Sequence, residues 1–89
     1  LNADGMKRIV KKLTEIGIKT IPSVTNFITL VFEDNEIAKR FTQSMLENGV
    51  ILRHLIGFGL PECVRVTIGN EYENNYFIDK LNLVMENKV

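Results

Sequence analysis

From residue 63 to residue 68 the chain alternates without a break. Val64, Val66 and Ile68 fall on one side of an extended segment, and Cys63, Arg65 and Thr67 on the other. A period of two marks a strand with one face turned to a core, and β-branched residues at all three positions of that face suit a pleated surface. The next residues are equally constraining. Gly69 ends the run, and Asn70 and Glu73 then stand at the N-cap and N3 spacing of a capping box, with Asn where Ser or Thr is usual. A strand, a turn and a helix burying Phe77, Leu81 and Val84 or Met85 are therefore expected in that order.

The rest of the chain builds out from this corner. Met6, Ile9, Val10, Leu13 and Ile16 recur on one face of a helix, and Gly17 suits a left-handed C-terminal cap. A short extended piece at residues 18–21 is broken by Pro22 and Ser23. Residues 26–32 are β-branched and aromatic enough for a strand, but too continuously apolar to say which face is buried. Asp34 or Asn35 can cap the next helix, which carries Ile37, Ala38, Phe41, Met45 and Leu46 on one side and ends at Gly49. Residues 50–53 read as a strand and 54–62 as a loop containing Gly57, Gly59 and Pro61; the strands flanking that loop should be antiparallel neighbours. The order is α-β-β-α-β-β-α, an α+β domain of two layers with helices on one face of a small, mostly antiparallel sheet.

At 89 residues the chain makes one domain, residues 1–89. The 45% apolar and 25% charged residues are ordinary for a globular protein. Eleven basic residues balance eleven acidic ones, which argues against electrostatic capture of nucleic acid or an anionic membrane. The one basic cluster, Lys7, Arg8, Lys11 and Lys12, reads as the solvated face of the first helix. Cys63 is the only cysteine, so no internal disulfide can form; a reducing, cytoplasmic setting is expected. No apolar run approaches the roughly 20 residues of a membrane span, and no signal-peptide pattern opens the chain. A first residue of Leu rather than Met suggests a fragment of a longer polypeptide or a processed chain.

Few side chains here can carry chemistry. Arg65 points away from the core if Val64, Val66 and Ile68 point into it. A guanidinium on a rigid strand is a good receptor for carboxylate or phosphate, because its planar fork matches paired oxygens. The spacing equally allows a solvated arginine or a structural ion pair. Arg53, at the end of the preceding strand, either shares an anion site with Arg65 or is simply exposed. His54 is the sole histidine and has no nucleophile or ligand cluster beside it in sequence, so neither a catalytic nor a metal role is expected. Cys63 reads as a small buried residue. The run Gly57-Phe58-Gly59 precedes a strand, whereas phosphate-binding loops lead from a strand into a helix.

The stretches Gly49-Val50-Ile51-Leu52-Arg53, Gly57-Phe58-Gly59-Leu60-Pro61 and Val64-Arg65-Val66-Thr67-Ile68-Gly69 occur in a particular order and spacing. Glu73-Asn74 and Tyr76-Phe77-Ile78 come after them, and Pro22-Ser23 and Asn26-Phe27 precede them. Together they resemble the C-terminal small domain of fold-type-I pyridoxal-phosphate (PLP) aminotransferases, most of all the histidinol-phosphate aminotransferases, over about residues 17–83. The resemblance implies a homodimeric enzyme of two domains per subunit, the large one holding PLP on a lysine. It also implies amino transfer between L-histidinol phosphate and 2-oxoglutarate. Arg65 would match the arginine that binds the substrate α-carboxylate in many such enzymes, a place taken by the phosphate arm in this subfamily. Arg53 would match a second recurrent arginine. The PLP lysine, the acidic partner of the pyridine nitrogen and the cofactor-phosphate loop would lie outside these residues, so the chain alone should bind no PLP and be inactive. An aromatic-amino-acid aminotransferase, a threonine-phosphate decarboxylase or a non-catalytic ferredoxin-like ligand-binding module are the alternatives.

Overall fold

The computed structural model describes residues 3–22 and 25–86. Its elements are α1 (Ala3–Glu15), β1 (Lys19–Pro22), β2 (Phe27–Val31), α2 (Asn35–Glu47), β3 (Arg53–His54), β4 (Cys63–Thr67) and α3 (Glu71–Glu86), with one turn of 3-10 helix at Leu55–Phe58. The expected order of helices and strands is present. The short first strand forms: Lys19–Pro22 pairs antiparallel with β2. Pro22 is its last residue, and the expected break at Ser23 lies outside the described residues. All pairings among the described residues are antiparallel, and the sheet order is β1-β2-β4-β3.

Local sequence sets the helix ends. Gly17 and Gly49 both take φ of 85°. After α1 the Gly17 N–H donates to the Thr14 carbonyl and the Ile18 N–H to the Leu13 carbonyl. After α2 the Gly49 and Val50 N–H groups donate to Leu46 and Met45 in the same way. This Schellman arrangement satisfies carbonyls that a bare helix end leaves open. Of the two candidate caps for α2, Asp34 acts: its Oδ1 accepts from the Ile37 N–H at 2.9 Å. Such a cap contributes about 1 kcal/mol. The capping box of α3 forms in both directions, Glu73 N–H to Asn70 Oδ1 at 2.8 Å and Asn70 N–H to Glu73 Oε1 at 2.9 Å.

All three helices lie on one face of the sheet, α3 touching both α1 and α2. Ile28 and Leu30 of β2, Val64 and Val66 of β4, and Ile68 meet Ile9 and Leu13 of α1, Ala38, Phe41 and Met45 of α2, and Phe77 and Leu81 of α3. This resolves the ambiguity of residues 26–32, since Ile28 and Leu30 face the helices. Val84 and Met85 are both partly buried against the core. No helix of the described residues is long and apolar enough to cross a membrane.

Three expectations need correction. The strand expected at residues 50–53 is confined to Arg53–His54. The reason lies at the end of α2, where the Val50 N–H is already bonded to the Met45 carbonyl and so is not available to the ladder. The loop expected at 54–62 contains an ordered 3-10 turn whose end repeats the same geometry, with Gly59 at φ 78° and the Leu60 N–H bonded to the Leu55 carbonyl. Leu46 does not join the core: it stands at the edge of the apolar stripe of α2 and is 48% exposed.

Candidate functional site

The face of the sheet opposite the helices carries the candidate residues. In β4 the buried side chains Val64 and Val66 alternate with Arg65, which is half-buried on the open side, and Thr67, which is exposed. The expected orientation of Arg65 therefore holds. Arg53 is brought beside it by pairing: the antiparallel register of β3 and β4 sets Arg53 directly opposite Arg65, and that of β2 and β4 sets Thr29 opposite Arg65 on the other flank. Opposite residues of an antiparallel pair have Cβ atoms roughly 5 Å apart. Two guanidinium groups are thus rooted side by side, and among the described residues neither is ion-paired with a carboxylate. Together with Ile51, Leu52, His54 and Thr67 they line a shallow depression of about 430 Å³.

Arg65 has a further partner that sequence reading missed. Its Cζ lies 4.5 Å over the centre of the Phe27 ring. Phe27 faces Thr67 across the β2–β4 ladder and is therefore the diagonal neighbour of Arg65. Alternation within β2 alone could not reveal this, because the register between β2 and β4 is set by the residues joining them, α2 included.

The other chemistry-bearing residues are structural in this arrangement. His54 Nε2 donates to the Pro61 carbonyl at 2.7 Å and closes the loop after β3. Cys63 shares the Arg65 side of β4, yet it is buried. Burial, and then the charge of Glu62, push its thiol above the usual range, which leaves it a poor nucleophile. The neighbouring Glu62 Oε1 is buried without a hydrogen-bond partner among the described residues. These residues also contain no group of His, Cys, Asp and Glu side chains able to hold a metal ion.

Fold and site define a two-layer α+β domain with a cationic pair on the open face of its sheet. The chain belongs to the aminotransferase class I and II family, whose model matches residues 3–81. It is 40% identical over 86 residues to histidinol-phosphate aminotransferase 1 of Nitrosococcus oceani, an alignment covering 97% of this chain and 23% of that protein. It is 43% identical over 81 residues to histidinol-phosphate aminotransferase 1 of Dechloromonas aromatica, covering 91% of this chain and 22% of that protein. Among solved structures, histidinol-phosphate aminotransferase from Sinorhizobium meliloti in complex with pyridoxal-5'-phosphate superposes with a TM-score of 0.84 at 21% identity, over 98% of this chain and 24% of that one. The chain thus spans about a quarter of the length of the proteins it matches, and the last likeness concerns the fold.

Proposed function

We propose that this chain is the C-terminal small domain of a PLP-dependent aminotransferase transferring an amino group between L-histidinol phosphate and 2-oxoglutarate, and that it supplies the grip on the substrate anion through Arg65, with Arg53 beside it. The observation that carries this reading is the direct opposition of the two arginines. Like charges facing each other across a sheet destabilise it. A phosphate or carboxylate lying between them converts that repulsion into charge-assisted, paired hydrogen bonds. The names of the relatives support the substrate and favour it over an aromatic amino acid or threonine phosphate.

The residues around the pair do not suit the cofactor by themselves, because no lysine lines the depression. In this reading PLP is held by the large domain of the same polypeptide, in a cytoplasmic homodimer, and the chain's own part is to bind and orient substrate. The exposed Ile51, Ile56 and Phe58 are then surface that the rest of the enzyme covers.

In the full-length enzyme Arg65→Lys keeps the charge and loses the planar fork. A lost charge-assisted bond is worth roughly 1.5–3 kcal/mol, so kcat/KM should fall about ten- to a hundredfold, and further for Arg65→Ala, with PLP occupancy unchanged. Arg53→Ala reports whether the second guanidinium shares the anion. An Arg65→Ala enzyme within about threefold of wild type, or ~0.65 kcal/mol, would sink the substrate-grip reading.

A further inference from the structure

We propose that Phe27 is the positioning residue for the Arg65 guanidinium, and that its ring restricts the bound group to an anion whose oxygens approach in the guanidinium plane. The inference rests on the reading that Arg65 meets the substrate, and goes beyond it by naming what aims the arginine and what shape of ligand the aim selects.

A guanidinium has two flat faces and a rim of five N–H donors. Arg65 lies with its Cζ 4.5 Å over the Phe27 ring, inside the roughly 6 Å range in which the negative face of an aromatic ring attracts a cation. One side of the guanidinium is therefore occupied by the protein; the face-on stack that belongs to the proposal leaves the donors in place on the rim. Paired oxygens of a carboxylate or phosphate match that rim; a planar aromatic ligand seeking to stack on the covered face finds it taken.

The sheet dictates the placement. The residue directly opposite Arg65 on β2 is Thr29, whose side chain is too short to support a guanidinium; Phe27, two residues earlier and opposite Thr67, reaches it on the diagonal. Diagonal neighbours on one face are within reach of aromatic and long side chains. Phe27 belongs to a strand whose alternate residues Ile28 and Leu30 are locked in the core, so the platform is fixed from beneath. An arginine held in advance loses less side-chain freedom on binding. Among the described residues Arg53, exposed on an edge strand, makes no such ring contact. The two guanidiniums are therefore unequal: Arg65 sets direction, and Arg53 adds charge.

The test uses the full-length enzyme with PLP bound. Phe27→Leu keeps apolar bulk and removes the π face. KM for the phosphorylated substrate should rise about two- to thirtyfold, the range expected for one cation–π contact, with kcat and PLP occupancy changing less than twofold. Phe27→Tyr should restore KM to near wild type. In an Arg65→Ala background Phe27→Leu should add less than twofold; an equal loss in both backgrounds would reduce Phe27 to general packing and overturn the proposal. Should Phe27→Leu fail to fold, 3,4,5-trifluorophenylalanine at position 27 drains charge from the ring face at nearly constant shape. A rise in KM then supports the proposal, and an unchanged KM overturns it. If Arg65→Ala itself leaves kcat/KM unchanged, it is the substrate-grip reading that has failed.

Discussion

The two arginines stand on unlike foundations. Arg65 sits midway along β4, a strand paired on both sides, and the end of that strand runs into a corner tied by several side-chain to backbone bonds. There the buried Asn74 brackets one residue: its Oδ1 accepts from the Gly69 N–H at 2.9 Å and its Nδ2 donates to the Gly69 carbonyl at 3.1 Å. The capping box of Asn70 and Glu73 closes the same turn. Arg53 opens a two-residue edge strand within residues 50–61, where Ile51 is 84% and Phe58 65% exposed. Pairing on both sides and the core beneath Val64 and Val66 therefore hold one arginine, with side-chain to backbone bonds tying the turn beyond it, whereas the other lies in a segment that leaves Ile51, Ile56, Phe58 and Leu60 exposed.

The largest change is expected at the tied corner. Asn74→Ala removes both bonds to Gly69, each worth roughly 0.5–1.5 kcal/mol net, and should destabilise the chain by about 1–3 kcal/mol in urea unfolding. Asn74→Asp keeps the acceptor and loses the amide donor, so it should fall between. A loss below about 0.5 kcal/mol would mean that the turn holds itself, and the contrast between the two regions would vanish.

The same contrast explains what could be read from sequence. The β4–α3 corner was legible because its signals are local: a period of two, a glycine, and a capping box within a single helical turn. Schellman turns at Gly17 and Gly49 were legible for the same reason. Residues 50–53 read as a strand because their composition is that of one; what limits pairing to Arg53–His54 is a hydrogen bond from Val50 back to Met45, which propensity does not encode. At the site, the orientation of Arg65 followed from alternation. Its opposition to Arg53 and its contact with the Phe27 ring are matters of register between strands, fixed by the shape of the loop at 54–62 and by the packing of α2. Asn74 was visible only as a letter beside Glu73, since its role depends on how closely α3 turns back on the strand.

A middle-sized effect is expected in the looser region. His54 makes one bond, from Nε2 to the Pro61 carbonyl, so His54→Ala should cost about 1 kcal/mol. Hydrogen exchange should quicken across residues 55–61 and stay unchanged at 69–74. Equal acceleration in both regions would show that they open as one unit rather than as two independent ones.

The smallest effect on stability should come from Phe58, and it is the most informative about what the looser region lacks. Phe58 lies on the 3-10 turn, largely in solvent. Its replacement by Ser removes little packing, so Phe58→Ser should leave the unfolding free energy of the 89-residue chain within about 0.5 kcal/mol, as for surface substitutions away from caps and buried groups. The same change should lower self-association of the chain at high concentration, read by sedimentation, because an exposed apolar patch is what drives it. In the full-length enzyme, where the proposed large domain covers this surface, burial of a Phe side chain is worth roughly 1.5–3 kcal/mol, and Phe58→Ser should cost a large part of that. A cost confined to the short chain would mean that Phe58 packs within it, and an equal and negligible cost in both would mean that nothing in the enzyme covers it.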